Sequence, residues 1–383
     1  MKLKACSLVF SSPLPPDKFP GLGAARPRFL LPFAGRFTYL DMFLSPLMRA
    51  GVRKHLIITQ NFAEYTHDYM VSAWGNGGWQ VLPFIPEEGD EPFDNQMYAV
   101  FKEELAPYVF FTRLDNPCWF DSSLLASEFR IRVSMVQPVF GKRIADVIVT
   151  ERTHLLTILN DLVRSAVPAP LALVRAFQIL SEKNGLRRIP VEGFYTTIDT
   201  LGQYIAANRA ILDQQEKFRQ LFAKVPLQSG LSPRAQAVIA SDAEFYRSSL
   251  ADACHVRGRI YNSVLFPGVE IGKNTEVRDA VIFPGVKIGD NARIARCLID
   301  SPLGLDQEVK AHISDTVRVG NANSKAENRE LGKALDDGYS FVGSGTIIPR
   351  GVNIGGGCYV APGLGRTSFS RAKNISDGRS INR

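Results

Sequence analysis

The chain is poor in several features that would have placed it quickly. Its five cysteines (Cys6, Cys118, Cys254, Cys297, Cys358) are odd in number, scattered and without CxxC spacing. That excludes a zinc site or a disulfide framework and points to buried thiols in a reducing cytosol. No apolar run approaches the roughly 20 residues of a membrane-spanning helix. After the basic start at Met1–Lys4 the first apolar run ends at Phe10, too short for a signal-peptide core, and reads as a first strand. Positive charge is in slight excess, +7 over 383 residues with a pI near 9.1. That is too dilute for nucleic acid but suits a small anionic ligand. The expectation is a cytoplasmic protein with neither membrane nor nucleic acid as partner. Hydrophobic residues at 45% and charged residues at 22% exclude disorder and collagen-like structure. The length suggests at least two domains.

What is present first is a repeat. Residues 263–279 (SVLFPGVEIGKNTEVRD) align with 280–296 (AVIFPGVKIGDNARIAR), and 297–313 (CLIDSPLGLDQEVKAHI) forms a weaker third unit. Val264, Val281 and Leu298 fall in register, as do Val269, Val286 and Leu303, and Ile271, Ile288 and Leu305. Within each unit an aliphatic residue recurs about every six positions. Six residues make one short strand and a turn, and three such units close a triangular coil of a parallel β-helix. Gly272, Asn274, Gly289 and Asn291 are expected at corners needing positive φ. Cys254 is placed in the core, in register with Ile271 and Ile288. The polar block 321–338 reads as a loop with a helical turn outside the coils. The Ser-, Arg- and Asn-rich end reads as a flexible basic tail.

Upstream, strand-length apolar runs alternate with helical ones. Lys4–Phe10, His55–Thr59, Trp79–Ile85 and Tyr108–Thr112 read as strands. Leu40–Ala50, Ala63–Trp74 and Asn95–Leu105 read as helices between them. Further helices are expected at Arg152–Arg164, Leu171–Lys183 and Thr200–Ala223, the last capped by Asp199 or Thr200. Alternation predicts a parallel or mixed α/β sheet covered on both faces, with ligands at the carboxyl ends of its strands. The divisions are 1–228 for this domain, 229–245 for a linker, 246–365 for the β-helix and 366–383 for the tail.

The segment RPRFLLPFAGRFTYLDMFLS, from Arg26 to Ser45, resembles RxKPAVPFGGKYRLIDFxLS of the glucose-1-phosphate adenylyltransferase family (ADP-glucose pyrophosphorylase). HLIITQ, ending at Gln60, continues the likeness. GFYTTIDTLGQYIAAN, from Gly193 to Asn208, resembles GYWRDVGTLDAYWEAN, and NSVLFPGVEIG and RCLID resemble coils of the same family. The resemblance implies a truncated nucleotidyltransferase (GT-A, Rossmann-like) domain followed by a left-handed β-helix of hexapeptide repeats. It also implies chemistry on ATP and glucose 1-phosphate with Mg²⁺, giving ADP-glucose and pyrophosphate.

Three departures bear on that activity. Where the family has GGxGTRLxPLT, residues 11–26 bring prolines, which have no N–H for a phosphate, and only Gly21 and Gly23. The metal-binding Asp of GDxxY corresponds to Asp115, preceded by Leu114. The Asp of RDVGT corresponds to Thr197 and its Arg to Thr196; threonine is a poor substitute for a hard carboxylate. The Glu-Lys-Pro sugar segment is absent, a deletion on the order of 50 residues for a domain of this kind.

The resemblance therefore implies a subunit of the non-catalytic, regulatory type, acting in glycogen synthesis. Its partners would be a catalytic subunit or copies of itself, with a phosphorylated sugar as effector. The alternatives are a residual adenylyltransferase using Asp115 with Asp199 as displaced metal ligand and Mg²⁺ as cofactor, or a sugar-phosphate-binding module. Arg26, Arg28, Arg36 and Gln60 are the candidates for binding a substrate or effector anion, and Asp115 is the catalytic candidate, as a vestige. His312 raises an acyltransferase reading that nothing else supports. His67, His154 and His255 read as ordinary side chains, and Trp74, Trp79 and Trp119 as packing.

Overall fold

Alternation along Ala5–Phe10 (β1) sends Cys6, Leu8 and Phe10 to one face of a sheet and Val9 to the other. The computed structural model describes residues 4–12, 18–24, 26–59, 62–83, 92–123, 134–228, 235–302, 311–335, 337–370 and 373–382. Strands β2 (Lys54–Thr59), β3 (Trp79–Pro83) and β4 (Tyr108–Arg113) join β1 in parallel. A short β5 (Cys118–Phe120) leaves the sheet. Three strands not foreseen complete the array: β6 (Met135–Phe140), β7 (Val147–Glu151) and β8 (Arg187–Pro190). The order is β8-β6-β7-β4-β1-β2-β3, with β7 antiparallel to both neighbours. The sheet is therefore mixed. A final strand, β9 (Gly193–Tyr195), pairs with β5 outside it.

Helices cover both faces. α1 (Tyr39–Arg49) begins at a capping box in which Thr38 and Asp41 satisfy each other's backbone N–H. α2 (Ala63–Trp74) follows β2, and α3 (Asn95–Glu104) precedes β4. In α4 (Arg152–Arg164) the buried residues are Leu155, Ile158, Leu159 and Leu162, the spacing of one helical face. They pack with α5 (Ala169–Glu182) and α3 under the Cys6 side of the sheet. The long helix expected at 200–223 is broken. α6 (Leu201–Ala210) and α7 (Gln215–Lys224) flank a 3-10 turn at Ile211–Gln214, where Leu212 is buried and Asp213 pairs with Arg247. Thr200 is the cap of α6; its side chain accepts from Gln203 N.

The C-terminal part is a parallel β-helix whose short strands stack in three sheets. One column of side chains runs Val256–Ile271–Ile288–Ile313–Ile348. A second runs Ile260–Val277–Ile294–Val319–Ile354, and a third Leu265–Ile282–Ile299–Val342–Val360. All fifteen are buried, and a fully buried aliphatic side chain contributes roughly 1.5–3 kcal/mol.

Several expectations need correction. Coil spacing is not uniform. Val256, not Cys254, is the partner of Ile271, because that step is 15 residues long; Cys254 is core all the same. Ile313, not Leu305, stacks on Ile288, so this step is 25 residues; Leu303 and Leu305 lie outside the described residues. Asn274 and Asn291 do have positive φ, but Gly272 and Gly289 do not. Gly272 is small for another reason: a Cβ there would meet the Gly289 backbone of the next coil at 2.5 Å. The β-helix begins inside the expected linker, since Val238–Ile239 already pairs with the following coil. It also continues through the expected tail, since Asn374–Ile375 and Ser380–Ile381 extend two of the sheets. The hydrogen bonds that a parallel coil offers at its open edge favour adding another strand over a free end. The polar block 321–338 does carry a 3-10 turn outside the coils, and buried Asn328 ties it to the Gly357 carbonyl.

The two parts share one core. Phe266 and Phe283, identical in two repeats, point out of the coils and pack with Tyr204 of α6. The described part of the loop after β1 is used in the same seam. Gly21, at φ +73°, lies so close to Phe341 and Tyr359 that a Cβ would meet them below 3 Å. Arg26 then spans the seam, with Nη2 2.7 Å from Asp300 Oδ1 and both side chains fully buried.

Candidate functional site

The carboxyl ends of β1 and β4 and the start of β7 meet at one edge of the sheet, where the topology places a ligand site. Asp115, two residues beyond β4, stands there and is 7% exposed. Its Oδ1 accepts from Ser12 N at 2.7 Å and its Oδ2 from the Ser12 hydroxyl at 2.8 Å. Arg113 Nε lies 3.4 Å from the same Oδ2. Arg113 Nη2 reaches Asp146 Oδ1 at 2.8 Å, at the residue before β7. The other oxygen of Asp146 accepts from Asn116 Nδ2 at 3.2 Å and from the Tyr195 hydroxyl at 3.0 Å. Asn116 closes the ring, its Oδ1 accepting from Ile198 N at 2.8 Å.

The electrostatics are self-contained. Two carboxylates flank one guanidinium. Burial opposes the Arg113 charge, but Asp146 and Asp115 outweigh it and raise its pKa. Burial, and then the Asp146 carboxylate, push the Tyr195 phenol up, so it stays protonated and donates. Cys118 is buried next to the cluster, and burial raises its thiol well above the usual range; it is no nucleophile.

Does this arrangement fit Mg²⁺? Magnesium wants a near-octahedral oxygen shell and keeps several waters. Here each oxygen of Asp115 has a Ser12 donor, and both oxygens of Asp146 are hydrogen-bonded. A guanidinium already supplies the positive charge. Among the described residues no group of three or more His, Cys, Asp or Glu could hold a metal ion. The cluster as it stands does not fit the ion.

The other sequence candidates scatter. Arg26 is turned into the seam, held by Asp300 and the Ser301 carbonyl and lying 5.2 Å from the centre of the Phe283 ring. It therefore does not face an anion at the sheet edge, because the buried carboxylate of Asp300 draws it inward. Arg28 is 8% exposed and spends its donors on main-chain carbonyls, Nε on Asp115 and Nη2 on Ile198, at 2.6 Å each. It joins the loop after β4 to the loop after β9, so its role is positioning. Arg36 is half exposed and pairs with Asp252 of the first coils at 2.8 Å. The three arginines do not converge. Gln60 lies outside the described residues. Asp199 is exposed, and its N–H donates to Gln203 Oε1 at 2.8 Å. Thr197, in the place of the second family carboxylate, is also exposed. Trp119 is fully buried against Phe218 and Phe222. All five cysteines are free and buried, and no helix is long and apolar enough to cross a membrane among the described residues.

Sequence reasoning found Asp115 but missed Ser12, Arg113, Asn116, Asp146 and Tyr195. Only the proximity of Arg113 and Asn116 to Asp115 in the chain was a usable signal. Asp146 arrives through the antiparallel pairing of β7 with β4, which no spacing announces.

A second feature lies beside the cluster. A cleft of about 690 Å³ opens between the Arg143–Ile144 return of β6, the edge of β9 and the α6–α7 region. Arg143, Lys217 and Lys224 line it.

Comparison with known proteins agrees with this architecture. The family described as GlmU-like, C-terminal hexapeptide matches residues 234–334. The glucose-1-phosphate adenylyltransferase of Acetivibrio thermocellus is 22% identical over 203 residues, 53% of this chain and 45% of that protein. That of Clostridium acetobutylicum is 29% identical over 116 residues, 30% of this chain and 28% of the relative. With both, the match spans less than half of the relative's length. That of Desulforamulus reducens is 22% identical over 383 aligned positions, covering 85% of this chain and 92% of the relative. The fold is thus a mixed α/β domain joined to a hexapeptide β-helix, in a chain similar to glucose-1-phosphate adenylyltransferases.

Proposed function

We propose that this chain is a non-catalytic subunit, regulatory or structural, working in ADP-glucose synthesis beside a catalytic adenylyltransferase or as an oligomer of its own. The closed cluster at the sheet edge carries the reading: the aspartate placed for metal binding is occupied by Ser12, and Arg113 supplies the cation. Thr197, without a carboxylate, and the seam-bound loop around Gly21 point the same way. Among the described residues there is neither a phosphate cradle nor a metal pair for attack on the α-phosphorus of ATP.

The test is pyrophosphate release by the purified chain with ATP, glucose 1-phosphate and Mg²⁺. The expected result is no turnover above an Asp115→Asn control. Adding the chain to a catalytic adenylyltransferase from the same cell should change that enzyme's effector response or heat stability. Turnover that Asp115→Asn abolishes would replace this reading with a residual enzyme.

A further inference from the structure

The outward rows of the β-helix carry charge in an order that breaks. Along one exposed sheet the residues stacked coil upon coil from Glu244 alternate in sign through Arg259, Glu276 and Arg293. Arg318 then stands directly beside Arg293, and Asn353 and Asn374 finish the row. Neighbouring strands lie about 4.8 Å apart, and like charges placed opposite each other at that spacing destabilise a sheet. Neither arginine is neutralised, and both are exposed. Arg293 Nη1 donates to the Asn274 and Ala292 carbonyls, at 2.7 and 3.1 Å. Arg318 has no acidic partner among the described residues. The excess continues round the corner of the same coils. There Arg350, Arg366 and Lys373, all exposed, line a hollow of about 470 Å³ with no carboxylate among its described walls. Corner and row are continuous, because the Lys373 carbonyl accepts from Asn353 N at 2.7 Å. Residues 338–383 hold six Lys and Arg against one acid, Asp377. That carboxylate is turned to the polar block, its Oδ2 accepting from the Ser324 hydroxyl at 2.7 Å and its Oδ1 from Gly356 N at 2.9 Å.

We propose that this surface docks an acidic, extended segment of a partner protein, with Arg293 and Arg318 sharing one carboxylate and the corner cations holding others. The planar guanidinium fork matches a carboxylate. A carboxylate lying between Arg293 and Arg318 also relieves a repulsion that the free chain carries, and that difference between the two states favours binding. The amides of the row suit a main chain. Asn353 Nδ2 donates to Asn374 Oδ1 at 2.7 Å, which leaves Asn353 Oδ1 as an acceptor for a peptide N–H. A DNA backbone has no such donor. Nor do these coils offer rings to bases: Phe341 and Tyr359 stack on each other in the seam, and Phe369 is buried in the core of the coils.

Fluorescence anisotropy of a labelled peptide of alternating Glu and Ser, titrated with the full chain in low and high salt, tests this. The peptide is expected to bind saturably, and less tightly as salt is added. Arg293→Gln together with Arg318→Gln should weaken that binding about ten-fold or more, as loss of charge-assisted contacts does. The same double variant should melt no lower than the parent, since it removes a like-charge pair. Lys102→Gln together with Arg219→Gln takes the same charge from exposed positions on α3 and α7 and should leave the binding unchanged. The proposal is overturned by no saturable binding in low salt, or by a row variant that binds like the parent. It is equally overturned by a single DNA strand of the same charge binding as tightly as the peptide, which would make the partner a nucleic acid. None of these outcomes depends on pyrophosphate release, so the proposal and the non-catalytic reading can fail separately.

Discussion

Ser12 holds both oxygens of Asp115, its N–H on one at 2.7 Å and its hydroxyl on the other at 2.8 Å. The carboxylate is a clasp between the ends of β1 and β4. Asp115→Ala should therefore act on stability. Leaving the Ser12 donors and Arg113 without an acceptor should cost roughly 1–3 kcal/mol. Urea denaturation measures it, and a variant as stable as the parent would show that the clasp contributes nothing.

Arg113 is the counter-charge for two carboxylates. Arg113→Met should leave Asp115 and Asp146 facing each other without compensation and destabilise by roughly 1–3 kcal/mol at pH 7. The melting temperature of the parent should be the same with Mg²⁺ as with a chelator. A magnesium-dependent rise in the parent would overturn the assignment of Arg113 as resident cation.

The seam depends on Arg26 and Asp300, buried together at 2.7 Å. Burial pushes the Asp300 carboxyl up, and Arg26 beside it partly offsets that. Arg26→Met leaves a buried, unpaired acid and should cost about 3–5 kcal/mol. Arg26→Met with Asp300→Leu should recover much of the loss, since an apolar pair of similar volume replaces a buried ion pair at little cost. Chemical denaturation of the two single variants and the double variant gives the coupling; additive losses would mean that the pair does not act as a unit.

Two buried groups oppose each other with pH. Burial raises Asp41 to about 6, against hydrogen bonds from Tyr69, Thr38 and Trp74 that lower it. Burial, then Arg53, lowers His55 to about 4. Asp41, raised when folded, contributes stability at low pH that is lost as pH rises through about 6. His55, lowered when folded, contributes stability above its unfolded value near 6.5 that is lost as pH falls toward 4. At about 1.4 kcal/mol per unit, each is worth on the order of 3 kcal/mol. Asp41→Asn should therefore make the protein visibly more acid-labile than the parent between pH 6.5 and 4. Parallel stability–pH curves for the two proteins would count against the Asp41 shift.

Much of the architecture was legible because local rules decide it. Leu155, Ile158, Leu159 and Leu162 mark one helical face, and the SVLFPGVEIG repeats mark a coil whose aliphatic residues must point inward. Coil length was harder to read. A solenoid tolerates coils of 15, 17 or 25 residues, since extra chain loops out and the next aliphatic residue takes the column. The candidate site was legible at one residue. Asp115 follows a recognisable strand, but its significance depends on Ser12, Arg113 and Asp146, separated from it by 103, 2 and 31 positions.

By itself, then, the sequence determined the class of each half, the direction of its core faces and the absence of a glycine-rich phosphate loop. Periodicity and backbone chemistry act over a few residues and are written into the chain. Only the tertiary structure decided where the charges went. Arg26 turned to Asp300, Arg28 to two carbonyls and Arg36 to Asp252, while Lys217 and Arg143 came to one cleft. The pairing of a charge is set by what desolvates it and by which carboxylate or carbonyl the packed elements bring within about 3 Å. Those neighbours exist only once distant strands and coils have met.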